Sequence, residues 1–325
     1  MTLITPKIKS ATVKLKTDRP VQKTPYQVKG VLMKNFPNDE IVPMLNGSYR
    51  KKFLYPRIQV KIVDEEILLV GLHQGVDPIL VIHEKIKDLN FGDITFDVLE
   101  KSIQVSEEAF FFSSSIHKYK FLSNWVALNI NTSKKYDLKK DEDKLQYLND
   151  LIAKNIVFIA REMGFELPKN IYSKISVSDL NPIKLDQNGW RAFDGEFYSN
   201  IILPDYIGIG NGITRGYGTI NGSHSDDILP FDNKEFEELK LESENSHFSL
   251  DSENFCSTLF EVDISTIQKP NVRKNKKKKS YPSKKKKSFD KVKATRSKKE
   301  KTTKQNSDEP VNYNSYEYHK KQHSI

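Results

Sequence analysis

Cysteine is almost absent. Cys256 is the only one in 325 residues, which excludes a disulfide framework and a cysteine-based zinc site. Long apolar runs are missing as well, and none approaches the ~18 residues of a membrane span. Histidine is scarce, with seven in all. No H-x-x-x-H, H-E-x-x-H or clustered Asp/Glu spacing occurs, so metal catalysis has little sequence support and no cofactor is expected. The N-terminus from Met1 to Lys16 alternates lysine with β-branched residues and lacks the apolar centre of a signal peptide. These absences predict a soluble, cytoplasmic protein without membrane contacts.

Charge is plentiful and unevenly placed. The chain carries a net charge of +9, yet residues 1–220 are only +4, residues 221–268 are −10 and residues 269–325 are +15. Asymmetry on this scale predicts separate modules. The acidic stretch is rich in Ser and Asn, although Phe255, Leu259, Phe260 and Val262 can dock as one short element. The last stretch holds the runs Lys276–Lys279 and Lys284–Lys287 and almost no core-forming residues, which predicts a disordered tail. A solvated polycation of this kind binds polyanions non-specifically and loses affinity as salt rises. Tyr313, Tyr316, Tyr318 and His319 can add stacking. A tail that only aids solubility fits equally well. The acidic segment can compete for the same lysines, acting as an electrostatic brake.

The first hundred residues repeat a simple order. Ala11–Leu15 alternates like a strand. Thr24-Pro25 is a helix cap with proline at the first helical position, followed by Val28, Val31, Leu32 and Phe36 at helical spacing. Ile58, Val60 and Ile62 alternate with Gln59 and Lys61, Asp64-Glu65-Glu66 turns, and Ile67–Val70 returns as a hairpin. Asp77-Pro78 predicts a second helix start, with Ile79, Ile82, Ile86 and Leu89 behind it. Ile94, Phe96 and Val98 open a last strand. The order β-α-β-β-α-β is ferredoxin-like.

A second unit begins near Ser113. Tyr119, Phe121 and Trp125 predict a strand. Leu145, Leu148, Leu151, Ile152, Ile156 and Ile159 form one stripe of a long helix that Gly164 closes. Strands near Ile171–Val177 and Glu196–Leu203 follow. The fold class is therefore α+β: two tandem ferredoxin-like domains, 1–112 and 113–222, then an acidic linker, 223–268, and the Lys-rich tail, 269–325.

Two stretches have the composition to carry chemistry. Leu203–Gly218 holds Gly208, Gly210, Gly212, Gly216 and Gly218, together with Asn211, Thr214 and Arg215. Such glycines let backbone N–H groups approach a phosphate, and Arg215 adds a bidentate contact. The spacing matches neither the Rossmann nor the P-loop pattern, and a Gly-rich bend between strands is the competing reading. Ser48–Arg57 gathers Arg50, Lys51, Lys52 and Arg57 with Tyr49, Phe53 and Tyr55, cations for phosphates and aromatics for bases. A solvated basic loop is the alternative there. His73 sits between a strand end and a Gly turn. His83 lies inside the second helix and reads as a packing or surface residue.

Taken together, the stretch from Leu203 to Ile220 resembles the C-terminal signature of CRISPR-associated repeat-processing endoribonucleases of the RAMP superfamily, of the subtype found with type I-B and type III systems. Phe53–Lys61 is similar to that subtype's Tyr-Pro-Arg approach to the second strand, and Tyr119–Asn129 to its Trp-containing strand. The resemblance covers residues 1–220. It implies two RRM-like folds side by side and binding of CRISPR repeat RNA. It also implies a metal-independent cut in which the 2′-hydroxyl attacks the adjacent phosphorus to leave a cyclic phosphate. Arg50, Arg57 and the 208–218 loop would then grip RNA. The subtype commonly carries histidine before the Tyr-Pro-Arg strand, whereas this chain has Pro43-Met44-Leu45-Asn46-Gly47. Tyr49, Lys51 and Lys52 can replace that histidine, His73 can enter from the next loop, or the protein can bind RNA without cutting it. The last option is an inert subunit of a CRISPR effector complex, with other complex subunits as partners. A generic RNA-binding protein is a third reading.

Overall fold

The computed structural model describes residues 7–185, 189–222, 255–257 and 259–267. The lysine tail, the acidic stretch 223–254 with His224 and His247, and the tail residues Tyr313, Tyr316, Tyr318 and His319 lie outside the described residues. No helix among those described is long and apolar enough to cross a membrane.

The first half runs β1 (Ser10–Thr17), α1 (Pro25–Asn35), α2 (Ile41–Leu45), β2 (Ile58–Val63), β3 (Glu66–Leu72), α3 (Val76–Lys85), β4 (Asp88–Asn90) and β5 (Thr95–Ser106). The strands form one sheet in the order β2-β3-β1-β5-β4, the ferredoxin-like arrangement with β4 added at the edge. Thr24 caps α1 as expected, in a full capping box with Gln27,. The β2–β3 hairpin turns on Asp64 and Glu65, both at positive φ, the geometry that matches strand twist in a two-residue turn.

Two expectations are corrected. The second helix begins at Val76, not at an Asp77 cap, because the 3-10 turn His73–Gly75 runs straight into it. It also ends at Lys85, so Leu89 belongs to β4.

The second half runs β6 (Phe111–Phe121), β7 (Trp125–Leu128), α4 (Ile130–Asp137), α5 (Asp141–Met163), β8 (Asn170–Val177), β9 (Ile183–Lys184), β10 (Arg191–Phe193), β11 (Gly195–Ile202) and β12 (Ile220–Gly222). Its main sheet has the order β12-β6-β11-β8, again ferredoxin-like, and α5 packs its apolar stripe on β8. Gly164 closes α5 in the left-handed conformation. Tyr119–Phe121 and Trp125 fall on two strands, not one, separated by a corner at Ser123. Where a ferredoxin-like unit carries its second helix, this half carries the Gly-rich stretch 203–219. Residues of the predicted linker extend the sheet. β13 (Phe255–Cys256) and β14 (Phe260–Asp263) both pair with β8, so the apolar residues there make two short strands.

The two sheets share one core. Tyr55, Val70 and Leu72 from the first half pack in the same cluster as Trp125, Ile156 and Ile209 from the second. The described residues up to Ile267 form one compact unit. The joint itself is polar. Gly208 N–H donates to Gln59 Oε1 at 2.8 Å and its carbonyl accepts from the Tyr55 hydroxyl at 2.7 Å. The Lys61 ammonium lies beneath, donating to the Ile213 carbonyl at 3.4 Å. Gln59 and Lys61 are the polar residues that alternate with Ile58, Val60 and Ile62 along β2. They are 1% and 0% exposed, because the Gly-rich stretch covers their face.

Burial pushes the Lys61 pKa down to about 7. Between that value and the ordinary 10.5 the unfolded chain binds the extra proton, so Lys61 makes the protein more stable as pH rises through this window. Lys61→Met removes the buried charge. Its Tm is expected to exceed that of the wild type by roughly 5 °C near pH 6.5, and the gain should shrink toward pH 10. A gain of equal size at both pH values would show that Lys61 is not depressed.

Candidate RNA-processing site

The site assembles from three short pieces. The first turns of α1 carry Tyr26 and Lys29. The 3-10 turn Ser48–Lys51 and the residues after it carry Tyr49 to Phe53. The 3-10 turn Ile213–Arg215 comes from the Gly-rich stretch. Contacts join α1 and α2 to β2, and both α1 and β2 to the 213–215 turn. Pro25 packs on Gly216, where a Cβ would come within 2.6 Å of the proline ring.

Tyr49, Arg50, Lys51 and Lys52 are all exposed. The Lys52 ammonium lies 5.3 Å from the Tyr49 ring and 5.1 Å from the Phe53 ring. The Arg57 guanidinium lies 4.7 Å from the centre of the same Phe53 ring. Tyr49, Lys52 and Arg57 therefore meet around Phe53, and Arg50 is near enough to depress Lys29.

Arg57 itself is corrected as an RNA contact. It is 5% exposed. Its guanidinium donates to the Glu162 carbonyl at 2.5 Å, to Gln74 Oε1 at 2.9 Å and to the Tyr55 carbonyl at 3.4 Å. Glu162 Oε2 returns the grip by accepting from the Leu54 and Tyr55 N–H groups. The Tyr-Pro-Arg stretch thus clamps the C-terminal end of α5. His73 is exposed at the end of β3, beyond Arg57. Partial burial and the Arg57 charge hold its pKa below the usual histidine value, so it stands neutral at pH 7.

The Gly-rich stretch is corrected in the same way. The N–H groups of Gly208, Asn211, Gly216 and Gly218 all donate within the protein, to Gln59, Val126, Ile213 and Asn124. Asn211 Nδ2 also donates to the Val126 carbonyl at 3.0 Å. At Gly218, φ is +62° and a Cβ would overlap the Ile209 carbonyl, so only glycine lets the two backbones meet. Gly210 packs on Trp125, and Gly212 on Tyr217 and Trp190. These glycines fold the loop back on the sheets. Thr214 is the exposed side chain of the loop, and Arg215 is half-buried with its guanidinium 4.9 Å from the Trp190 ring centre.

Lys29 was not singled out from the sequence. It is 6% exposed, its ammonium is 4.9 Å from the Tyr26 ring, and burial with the nearby Arg50 charge pushes its pKa down to about 8. The signal was available: Val28, Lys29 and Leu32 share one helical stripe, so a lysine stands in an apolar row. Among the described residues, Lys29 and Lys61 are the two lysines whose pKa falls near neutrality, and only Lys29 belongs to these three pieces; Lys61 is sealed beneath Gly208. Among the described residues no three His, Cys, Asp or Glu side chains come together as a metal site.

Comparison with known proteins agrees with this architecture. Residues 6–109 match the family model of the Cas6b N-terminal domain, and residues 111–223 that of the Cas6b C-terminal domain. A solved Cas6b structure is 26% identical with a TM-score of 0.53, covering 66% of this chain and 98% of its own. A second, described as the CRISPR RNA processing endoribonuclease Cas6b, is 24% identical with a TM-score of 0.47, covering 66% and 99%. An uncharacterized protein of Methanocaldococcus jannaschii is 26% identical over 135 residues, which is 42% of this chain and 92% of that protein. Two ferredoxin-like halves joined through a Gly-rich loop, with both family models matched in order, leave one assignment: the chain belongs to the Cas6b family of CRISPR repeat-processing, RAMP-type proteins.

Proposed function

We propose that the protein is an endoribonuclease that binds CRISPR repeat RNA and cuts it once, without a metal ion, at the junction of α1, the Ser48–Lys51 turn and the Ile213–Arg215 turn. The observation that carries this reading is Lys29, a buried lysine beside Arg50 with its pKa near 8, in a chain that lacks histidine at 43–47.

The nucleophile belongs to the RNA. As the 2′-hydroxyl oxygen bonds to the adjacent phosphorus, its proton passes to the neutral Lys29 amine. The bond from phosphorus to the 5′ oxygen breaks, and that oxygen takes a proton from the Tyr49 hydroxyl or from water. The products are a 2′,3′-cyclic phosphate and a 5′-hydroxyl. Lys51, Lys52 and Arg50 offset the charge that builds on phosphorus. Arg215, stacked on Trp190, positions the strand. His73 sits at the end of β3, where the Arg57 charge acts on it.

Two predictions test the reaction. Repeat RNA incubated with the protein in EDTA is expected to be cut at one site, and a single 2′-deoxy at that site should abolish cutting while leaving binding intact. Tight binding with no product would instead support the inert subunit. Equal binding to unrelated RNAs would support the generic RNA-binding protein.

The second concerns the base. Single-turnover rates are expected to rise with pH and level off above about 8, following the neutral amine. Lys29→Ala should lower the plateau by roughly 10² or more. Arg50→Ala removes a depressing charge, so Lys29 titrates higher and the midpoint should move to higher pH. His73→Ala should leave the profile in place. A profile lost in His73→Ala and kept in Lys29→Ala would transfer the role to His73.

A further inference from the structure

One charged surface has no part in that reaction. The second sheet has α5 on one face, with Phe197, Tyr119 and Ile175 pointing toward it. The opposite face is polar. Register places Tyr198 of β11 between Lys118 of β6 and Lys174 of β8. The next row holds Lys120, Glu196 and Ser176, with Asn221 of β12 beside Lys120. The Lys118 and Lys174 ammonium groups lie 5.7 and 5.5 Å from the centre of the Tyr198 ring. Glu196 pairs with Lys118 at 3.0 Å and accepts from the Tyr198 hydroxyl at 3.0 Å. Among the described residues, Lys120 and Lys174 have no carboxylate partner. Lys120 is exposed and Lys174 half-buried.

We propose that this face is a second RNA contact, a phosphate-binding platform for single-stranded RNA that runs on from the repeat. Three features point to it. A tyrosine ring holds two ammonium groups roughly 10 Å apart across the sheet, so they are ordered before a ligand arrives. On the β6 side of this face Lys118 and Lys120 meet the single carboxylate Glu196, while Glu261 and Asp263 lie at the opposite edge on β14, so the positive excess that a phosphodiester backbone complements is local to the β6–β11–β8 rows. The platform is also continuous with the proposed site. The Gly-rich loop touches the end of β6 through Ser123 Oγ donating to the Gly216 carbonyl at 2.7 Å and Leu122 N–H to the Thr219 carbonyl. Lys120 is two residues before Leu122. RNA leaving Arg215 therefore meets Lys120 first, then Lys118 and Lys174.

The inference rests on the RNA-processing reading, and the experiment separates the two. Full-length wild type, a Lys118→Ala/Lys120→Ala/Lys174→Ala variant and a control Lys134→Ala/Lys135→Ala/Lys154→Ala variant are titrated with repeat RNA, with and without a single-stranded extension. The control removes equal charge from exposed positions on α4 and α5. The platform variant is expected to weaken binding of the extended RNA by about tenfold and to lower the salt slope by about 2, from three lost contacts at ~0.7 each. Binding of the unextended repeat and its single-turnover cleavage at saturating protein should match wild type. The control should change neither. In wild type, 4-thiouridine in the extension should photo-crosslink to β6 or β8 peptides, a readout that does not depend on a variant folding. If wild type cuts the repeat and the platform variant keeps its affinity and salt slope, the second contact is wrong and the enzyme stands. If wild type binds no repeat RNA, both readings fall. Crosslinks confined to residues outside this sheet would also overturn the platform.

Discussion

Much of the molecule depends on one peptide, Gly208, held from both sides by the other half of the chain. Gln59 takes its N–H and the Tyr55 hydroxyl binds its carbonyl. A peptide buried this deeply must have both groups satisfied, because each unpaired one would cost about 1–3 kcal/mol. That demand explains otherwise odd choices. A glutamine and a lysine are buried on β2, a fully buried tyrosine precedes Pro56, and a Cβ at residue 208 would crowd Ile213 at 2.6 Å and the Lys61 ammonium at 2.8 Å. With the peptide fixed, the rest of the loop must turn back, which brings Arg215 to α1.

The joint also gathers cations, with the Glu162 carboxylate beside Arg57. Lys61, Lys29 and Arg57 are all nearly buried, and each is accommodated differently. Lys61 sits at the edge of losing its proton. Arg57 spends its guanidinium on carbonyls, a glutamine and an aromatic face. Lys29 rests on a tyrosine ring. Buried charge is expensive for folding, which is why each of the three is matched by a different set of contacts.

Local patterns made the skeleton legible in the sequence. Thr24-Pro25 capped a helix, Gly164 ended one, and the alternation of Ile58, Val60 and Ile62 marked a strand, because each depends only on near neighbours. What was missed depends on residues far along the chain. Gln59 and Lys61 look solvent-facing until a loop some 150 residues away covers them. The glycines of 208–218 look like a phosphate cradle until the N–H groups of Gly208, Gly216 and Gly218 are seen to be taken. Arg57 has the composition of an RNA contact and the position of a clamp on α5. Lys29 was visible only as a break in an apolar stripe. The motifs marked the correct regions of the chain, but their division into structural and reactive parts appears only in three dimensions.

The second half lacks the second helix of its fold and has the 203–219 loop in its place. A loop buries far less apolar surface than a helix, and here its underside is roofed by β2 of the first half. The sheet β12-β6-β11-β8 is thus completed by residues belonging to the other repeat. Two units that look like a tandem duplication in element order have become one folding unit, so the boundary near residue 110 divides similar topologies but not independent parts. Drift in one repeat is then constrained by the other, and the chain could not be shortened to a single repeat without exposing the polar joint on which both now depend.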